Sequence, residues 1–112
     1  MYKMYGIKNC STVIKAMNFL EDESIEFEFV DFKKYSPSKS DIDRWMKTFG
    51  DWPVNKNGRT FKQNKESFEG ASDANKYELI SEKSSMIKRP ILEKDGKPIV
   101  FGFNEDDYSK VL

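Results

Sequence analysis

Met1 to Ile7 is a short aromatic and apolar run, and a helical stripe follows almost at once, with apolar residues at 13, 16, 17 and 20. Ile25, Phe27 and Phe29 then alternate with Glu26, Glu28 and Val30 in a second strand running through Phe32. Strand, helix and strand joined by such short links read as a parallel βαβ unit, and its crossover should be right-handed. No other feature restricts the fold of this chain so strongly.

The remaining punctuation is equally readable. Ser36-Pro37-Ser38 breaks the pattern, and a helix is expected next with Ser40 as cap, Asp41 and Asp43 in its first turn, and Ile42, Trp45, Met46 and Phe49 on its apolar face. Gly50 ends that helix and Pro53 prevents its return. Residues 51–64 show no clear periodicity and read as a long loop carrying Lys56, Arg59 and Lys62. A second helical region is expected over Ser72 to Met86, with Tyr77, Ile80 and Ile87 as core candidates. Asp95-Gly96 between two apolar runs is a hairpin signal. Asn104 then opens a last helix that should present Tyr108, Val111 and Leu112 to the core. The expected order is β-α-β, a helical insert over about 40–87, then β-β-α, within one domain spanning 1–112.

Composition narrows the function classes. Lys plus Arg equals Asp plus Glu at 19 each, so there is no electrostatic case for nucleic acid or an anionic membrane. No apolar run reaches the ~18 residues of a membrane span, and no signal peptide opens the chain. A cytoplasmic monomer is expected. The absence of His removes Ser–His and Cys–His dyads and the commonest transition-metal ligand, so no metal site is expected.

One cysteine, Cys10, stands where the first strand gives way to the first helix. A thiol there faces unpaired backbone N–H groups and the positive end of the helix dipole, both of which favour thiolate, the nucleophilic form. The plain reading of a lone intracellular cysteine is a small buried hydrophobe. The helix-start position and the nearby Lys8 argue instead for reactivity. Asn9 and Ser11 are candidate caps whose N–H groups could also hold a thiolate or oxyanion. Arg89 offers a fork of donors suited to a carboxylate or oxyanion. Arg59, Lys56 and Lys62 read first as a solvated face, with Arg59 a candidate substrate contact.

The segment Tyr5-Gly6-Ile7-Lys8-Asn9-Cys10, with Ile87-Lys88-Arg89-Pro90-Ile91-Leu92 and Gly96-Lys97-Pro98-Ile99-Val100-Phe101-Gly102-Phe103, resembles the arsenate reductase–Spx family, most closely its short YffB-like branch. The resemblance implies a thioredoxin-like α/β fold with a mixed four-stranded sheet. It also implies a cis peptide before Pro90 and a site in which Arg89 and Pro90 lie beside a nucleophilic Cys10. Arsenate reductases of the family hold the oxyanion with three arginines. Arg89 matches one, Asn57 takes a second position with Arg59 two residues away, and Gly102 stands near the third, so weak arsenate reduction or none is expected. Spx-type regulators carry a Cys-x-x-Cys pair, whereas Val13 occupies the second position here.

The function expected from these residues is a thiol-dependent oxidoreductase that uses Cys10 and an external thiol. Glutathione would be that co-substrate, with no bound cofactor; glutaredoxin is a candidate partner. Lys8, Asn9, Ser11, Arg59 and Pro90 would line the substrate. Two alternatives stay open: an Spx-like non-catalytic module binding RNA polymerase, and a true arsenate reductase.

Overall fold

The computed structural model describes residues 1–112. In chain order its elements are β1 (Tyr2–Gly6), α1 (Ser11–Asp22), β2 (Phe27–Asp31), α2 (Lys39–Phe49), α3 (Arg59–Glu69), α4 (Asp73–Glu82), a 3-10 turn (Ser84–Met86), β3 (Ile91–Lys94), β4 (Lys97–Phe101) and α5 (Glu105–Val111). Two compact units divide the chain: Met1–Tyr35 with Arg89–Leu112, and Ser36–Lys88.

The first unit holds a four-stranded mixed sheet of order β2-β1-β3-β4. β1 and β2 pair in parallel, while β1–β3 and β3–β4 are antiparallel. This is the thioredoxin-like arrangement expected from the βαβ and ββα halves. Alternation along the strands sends Met4, Leu92 and Val100 into one cluster with Val13, Ala16 and Leu20 of α1 and Tyr108 of α5. Fully burying each such aliphatic side chain is worth about 1.5–3 kcal/mol, so this cluster dominates the stability of the unit.

The β3–β4 turn has the predicted chemistry. Asp95 (φ 53°) and Gly96 (φ 82°) both lie in the left-handed region, as a two-residue type I′ hairpin requires. The Asp95 carboxylate also accepts a 2.7 Å hydrogen bond from the N-terminal ammonium, which lowers its pKa. Pro98 is tolerated because β4 is an edge strand, and a register shift falls beside it between Leu92 and Glu93. In α5, Asn104 caps the Asp107 N–H and Tyr108 is fully buried. Val111 and Leu112, expected in the core, are each 36% exposed, because the helix is only seven residues long and its last turn runs into solvent.

In the second unit, α2 starts two residues earlier than its sequence suggests. Ser38, not Ser40, is the cap: its hydroxyl accepts from the Asp41 N–H while the Asp41 carboxylate accepts from the Ser38 N–H. Ser40 stands three residues before Asp43 just as Ser38 stands before Asp41, and the two reciprocal bonds are made by the Ser38–Asp41 pair. Ile42 and Trp45 are fully buried, whereas Phe49 is exposed at the helix end beside Gly50, whose φ of 86° closes the helix.

The stretch read as a loop over 51–64 is a loop only as far as Gly58. Gly58 opens α3, which buries Phe61 and Phe68, seven residues apart on one face. The remainder of the helix is polar, so two aromatics were too few to show a period. The helix expected over Ser72 to Met86 is divided. Ser72 caps α4 through the Asn75 N–H, Ile80 is buried and Tyr77 half-buried, and a 3-10 turn follows. Ile87 is buried in an isolated antiparallel bridge with Val54, flanked by the bonds Asn55 N–H to Met86 O and Lys88 N–H to Pro53 O.

Candidate active site

β1 delivers the chain to Cys10. After Gly6 the buried Ile7 is followed by a turn at Lys8 and Asn9, both exposed. Cys10 itself occupies the cap position of α1, with extended geometry (φ −79°, ψ 125°). Its N–H donates to Ile7 O at 3.1 Å, and its carbonyl accepts the Ile14 N–H at 2.9 Å. Neither Asn9 nor Ser11 is the cap. Asn9 lies in the turn, and Ser11 is already the first helical residue. No side chain satisfies the first-turn N–H groups, and the first turn carries no carboxylate, so the positive end of α1 is not offset by the helix itself. The Cys10 side chain is half-buried against the core cluster.

The second part of the site comes from the start of β3. The Arg89–Pro90 peptide is cis, Pro90 is buried, and Arg89 is half-buried. Tyr5 pairs with Ile91, so the antiparallel register sets Gly6 and Pro90 side by side. β1 ends where β3 begins, which places the Lys8–Ser11 turn and Arg89–Pro90 at the same end of the sheet. On the other flank, the Gly102 N–H donates to Pro90 O at 2.8 Å. Gly102 has a φ of 82°, a conformation that an arginine would adopt only with strain.

Gly6 was not singled out as a site residue, yet it controls this geometry. A Cβ there would stand 2.9 Å from Val13 Cγ2 and 3.7 Å from the Pro90 Cβ. Val13 lies one turn beyond Cys10, so the missing side chain lets the start of α1 and the proline close in around one point. The signal was a glycine ending an apolar strand.

Lys8, Asn9, Cys10, Ser11, Arg89 and Pro90 therefore all belong to one unit and one sheet end. Arg59 belongs to the other unit. It is exposed as the first residue of α3, where Asn57, Arg59, Lys62 and Gln63 line an open depression of about 430 Å³. Lys56 is engaged by Asp51 at 3.3 Å.

A cysteine at a helix start and a cis-proline at the same end of a four-stranded mixed sheet belong to a thioredoxin-like fold. More narrowly, the chain belongs to the ArsC family, whose sequence model matches residues 5–111. It is 36% identical over 110 residues to a protein of Haemophilus influenzae that is itself uncharacterised, with 96% of each chain covered. Among solved structures it is similar to a YffB protein at 33% identity, with a TM-score of 0.84 and coverage of 100% and 99% of the two chains. It also resembles an arsenate reductase (ArsC) related protein from Brucella melitensis at 38% identity, with a TM-score of 0.73 and coverage of 97% and 92%. The fold is thus that of the arsenate reductase-like thiol reductases. No helix is long and apolar enough to cross a membrane.

Proposed function

We propose that the protein is a glutathione-dependent thiol reductase in which Cys10 is the single nucleophile. The observation that carries this reading is the position of Cys10 at the open N-terminus of α1, at the same end of the sheet as Arg89 and Pro90. The Cys10 thiolate attacks one sulfur of a glutathione mixed disulfide. A Cys10–glutathione disulfide forms, and the substrate leaves as its thiolate. No second cysteine exists to resolve this adduct. A glutathione thiolate from solution attacks it, releasing oxidised glutathione and restoring the Cys10 thiolate. The net change is a thiol–disulfide exchange: the mixed disulfide and one glutathione thiolate become the substrate thiolate and oxidised glutathione, and the incoming glutathione sulfur is the one oxidised.

Arg89 supplies a guanidinium for a glutathione carboxylate, and Lys8 adds positive charge next to the nucleophile. Exposed Asn9 and Ser11 are available to the bound peptide. Arsenate fits less well, since Gly102 carries no cation and is held by its backbone geometry.

Intact-mass measurement after exposure to oxidised glutathione tests the proposal. One glutathione adduct is expected on the wild type, none on Cys10→Ser, and excess glutathione should remove it. A wild-type protein that forms no adduct, or one that glutathione fails to release, overturns the reading.

A further inference from the structure

The two edges of the sheet are built differently. β4 carries Lys97, Pro98 and a register shift against β3, features that discourage a further strand from pairing. β2, the opposite edge, has no proline, no lysine and an unbroken register with β1 from Phe27 to Asp31. Its exposed Glu28 is drawn to Lys3 of β1 at 3.7 Å, away from the outer side. The Phe32 N–H donates to Gly6 O at 2.9 Å. Alternate residues of a parallel strand face the same neighbour, so Glu28 and Val30 also face β1, while Phe27, Phe29 and Asp31 turn their backbone groups outward. The Asp31 carbonyl accepts the Lys34 and Tyr35 N–H groups at 2.9 Å each, and no strand of the chain pairs with the other outward groups.

Charge is polarised along the same edge. Glu21, Glu23 and Glu26 stand exposed before β2 and Lys33 and Lys34 exposed after it, and none of them is ion-paired within the chain. An open depression of about 560 Å³ at the acidic end is lined by Met1, Glu21, Ile25, Glu26, Phe27 and Glu28. We propose that two copies of this chain pair antiparallel through β2, joining their four-stranded sheets into one. With a two-fold axis at Phe29, the two Phe29 residues exchange N–H···O bonds, and each Asp31 N–H reaches the Phe27 carbonyl of the second copy. The same register brings the Lys33–Lys34 turn of each copy to Ile25 and Glu26 of the other, at the acidic depression. Parallel pairing would set acid against acid and base against base. The charge pattern is its own complement only when reversed, which selects a second copy of the chain over an unrelated strand.

Sedimentation equilibrium of the full chain from micromolar to millimolar concentration tests the proposal. A short strand pair is a small interface, so a dissociation constant on the order of 10–100 μM is expected, rising with salt as the end charges are screened. Glu23→Lys with Glu26→Lys, and separately Lys33→Glu with Lys34→Glu, should each weaken self-association by about tenfold or more. An equimolar mixture of these two double variants should associate again. Amide exchange reads the register: the Phe29 N–H should slow as concentration rises, while that of Val30, already facing β1, should not change. Cys10→Ser should dimerise as the wild type does, which separates this result from the glutathione reaction. The proposal is overturned by a monomer throughout the range, by Phe29 exchange independent of concentration, or by undiminished association in both charge variants. If a variant fails to fold, sedimentation and exchange of the wild type decide alone.

Discussion

Gly6 shows how one absent methyl group can set a site. The Val13 side chain occupies the space where a Cβ would stand, at 2.9 Å, and it is anchored in the core with no exposure. Gly6→Ala should therefore cost about 1–3 kcal/mol, the usual penalty for overpacking. Combined with Val13→Ala, the loss should be smaller than the sum of the two single changes, because the second substitution removes the obstructing methyls. Urea midpoints of the three variants measure this directly, and strict additivity would show that the clash is relieved elsewhere. Tyr108 presents the opposite case, a polar atom placed where it gains nothing. Its hydroxyl is fully buried without a protein partner, among Phe19 and Phe103. Tyr108→Phe is expected to leave stability unchanged or raise it by about 1 kcal/mol. A clear loss in chemical denaturation would mean that the hydroxyl is satisfied after all.

The helices divide into those announced by their caps and those made by their neighbours. α2 carries its start signal in three residues, and the serine that matters is the one three positions before Asp41. Ser38→Ala should cost about 1 kcal/mol, whereas Ser40→Ala, exposed and already inside the helix, should cost almost nothing. Equal losses in the two variants would return the cap to Ser40. The βαβ start, the Asp95-Gly96 hairpin and the Asn104 cap are legible from residues adjacent in the chain, whereas the α2 cap falls two residues before the Ser40 that the pattern suggests. α3 is not legible in that way. Its polar surface hides a period that becomes visible only when Phe61 and Phe68 are seen packed together, with Trp52 against Phe68. The division after Glu82 was hidden for a related reason, because Ile87 finds its partner at Val54 rather than in its own helix.

For the molecule as a whole, titration sets the pH range of stability. Asp51 and Asp95 have lowered pKa values, chiefly from the Trp52 N–H for Asp51 and from the N-terminal ammonium for Asp95. Their contribution is present above the unfolded carboxylate range of ~4 and is lost as pH falls through their lower native values. Both groups are exposed, so this acid effect should be small. Burial raises the pKa of Tyr108, so the native state keeps that proton after the unfolded chain releases it near pH ~10. Stability should consequently fall as pH rises beyond that point, and Tyr108→Phe should flatten the decline. Denaturant midpoints at neutral and alkaline pH check it; an identical alkaline loss in the variant would assign the effect to other groups.

Family membership and the order of strands and helices were legible in the chain because they rest on local spacing and on short motifs. Cys10 could be placed at a helix start from periodicity alone, although its role as the cap itself, with Asn9 and Ser11 left uncapping, could not. The meeting of Gly6 with Pro90 was decided by antiparallel pairing of β1 and β3, a choice made between segments far apart in sequence. The aromatic packing around Trp52 likewise exists only in three dimensions. Backbone torsion and side-chain period act between neighbouring residues and leave a trace in the text. Burial depends on which distant surfaces meet, and one chain read in order holds no record of that.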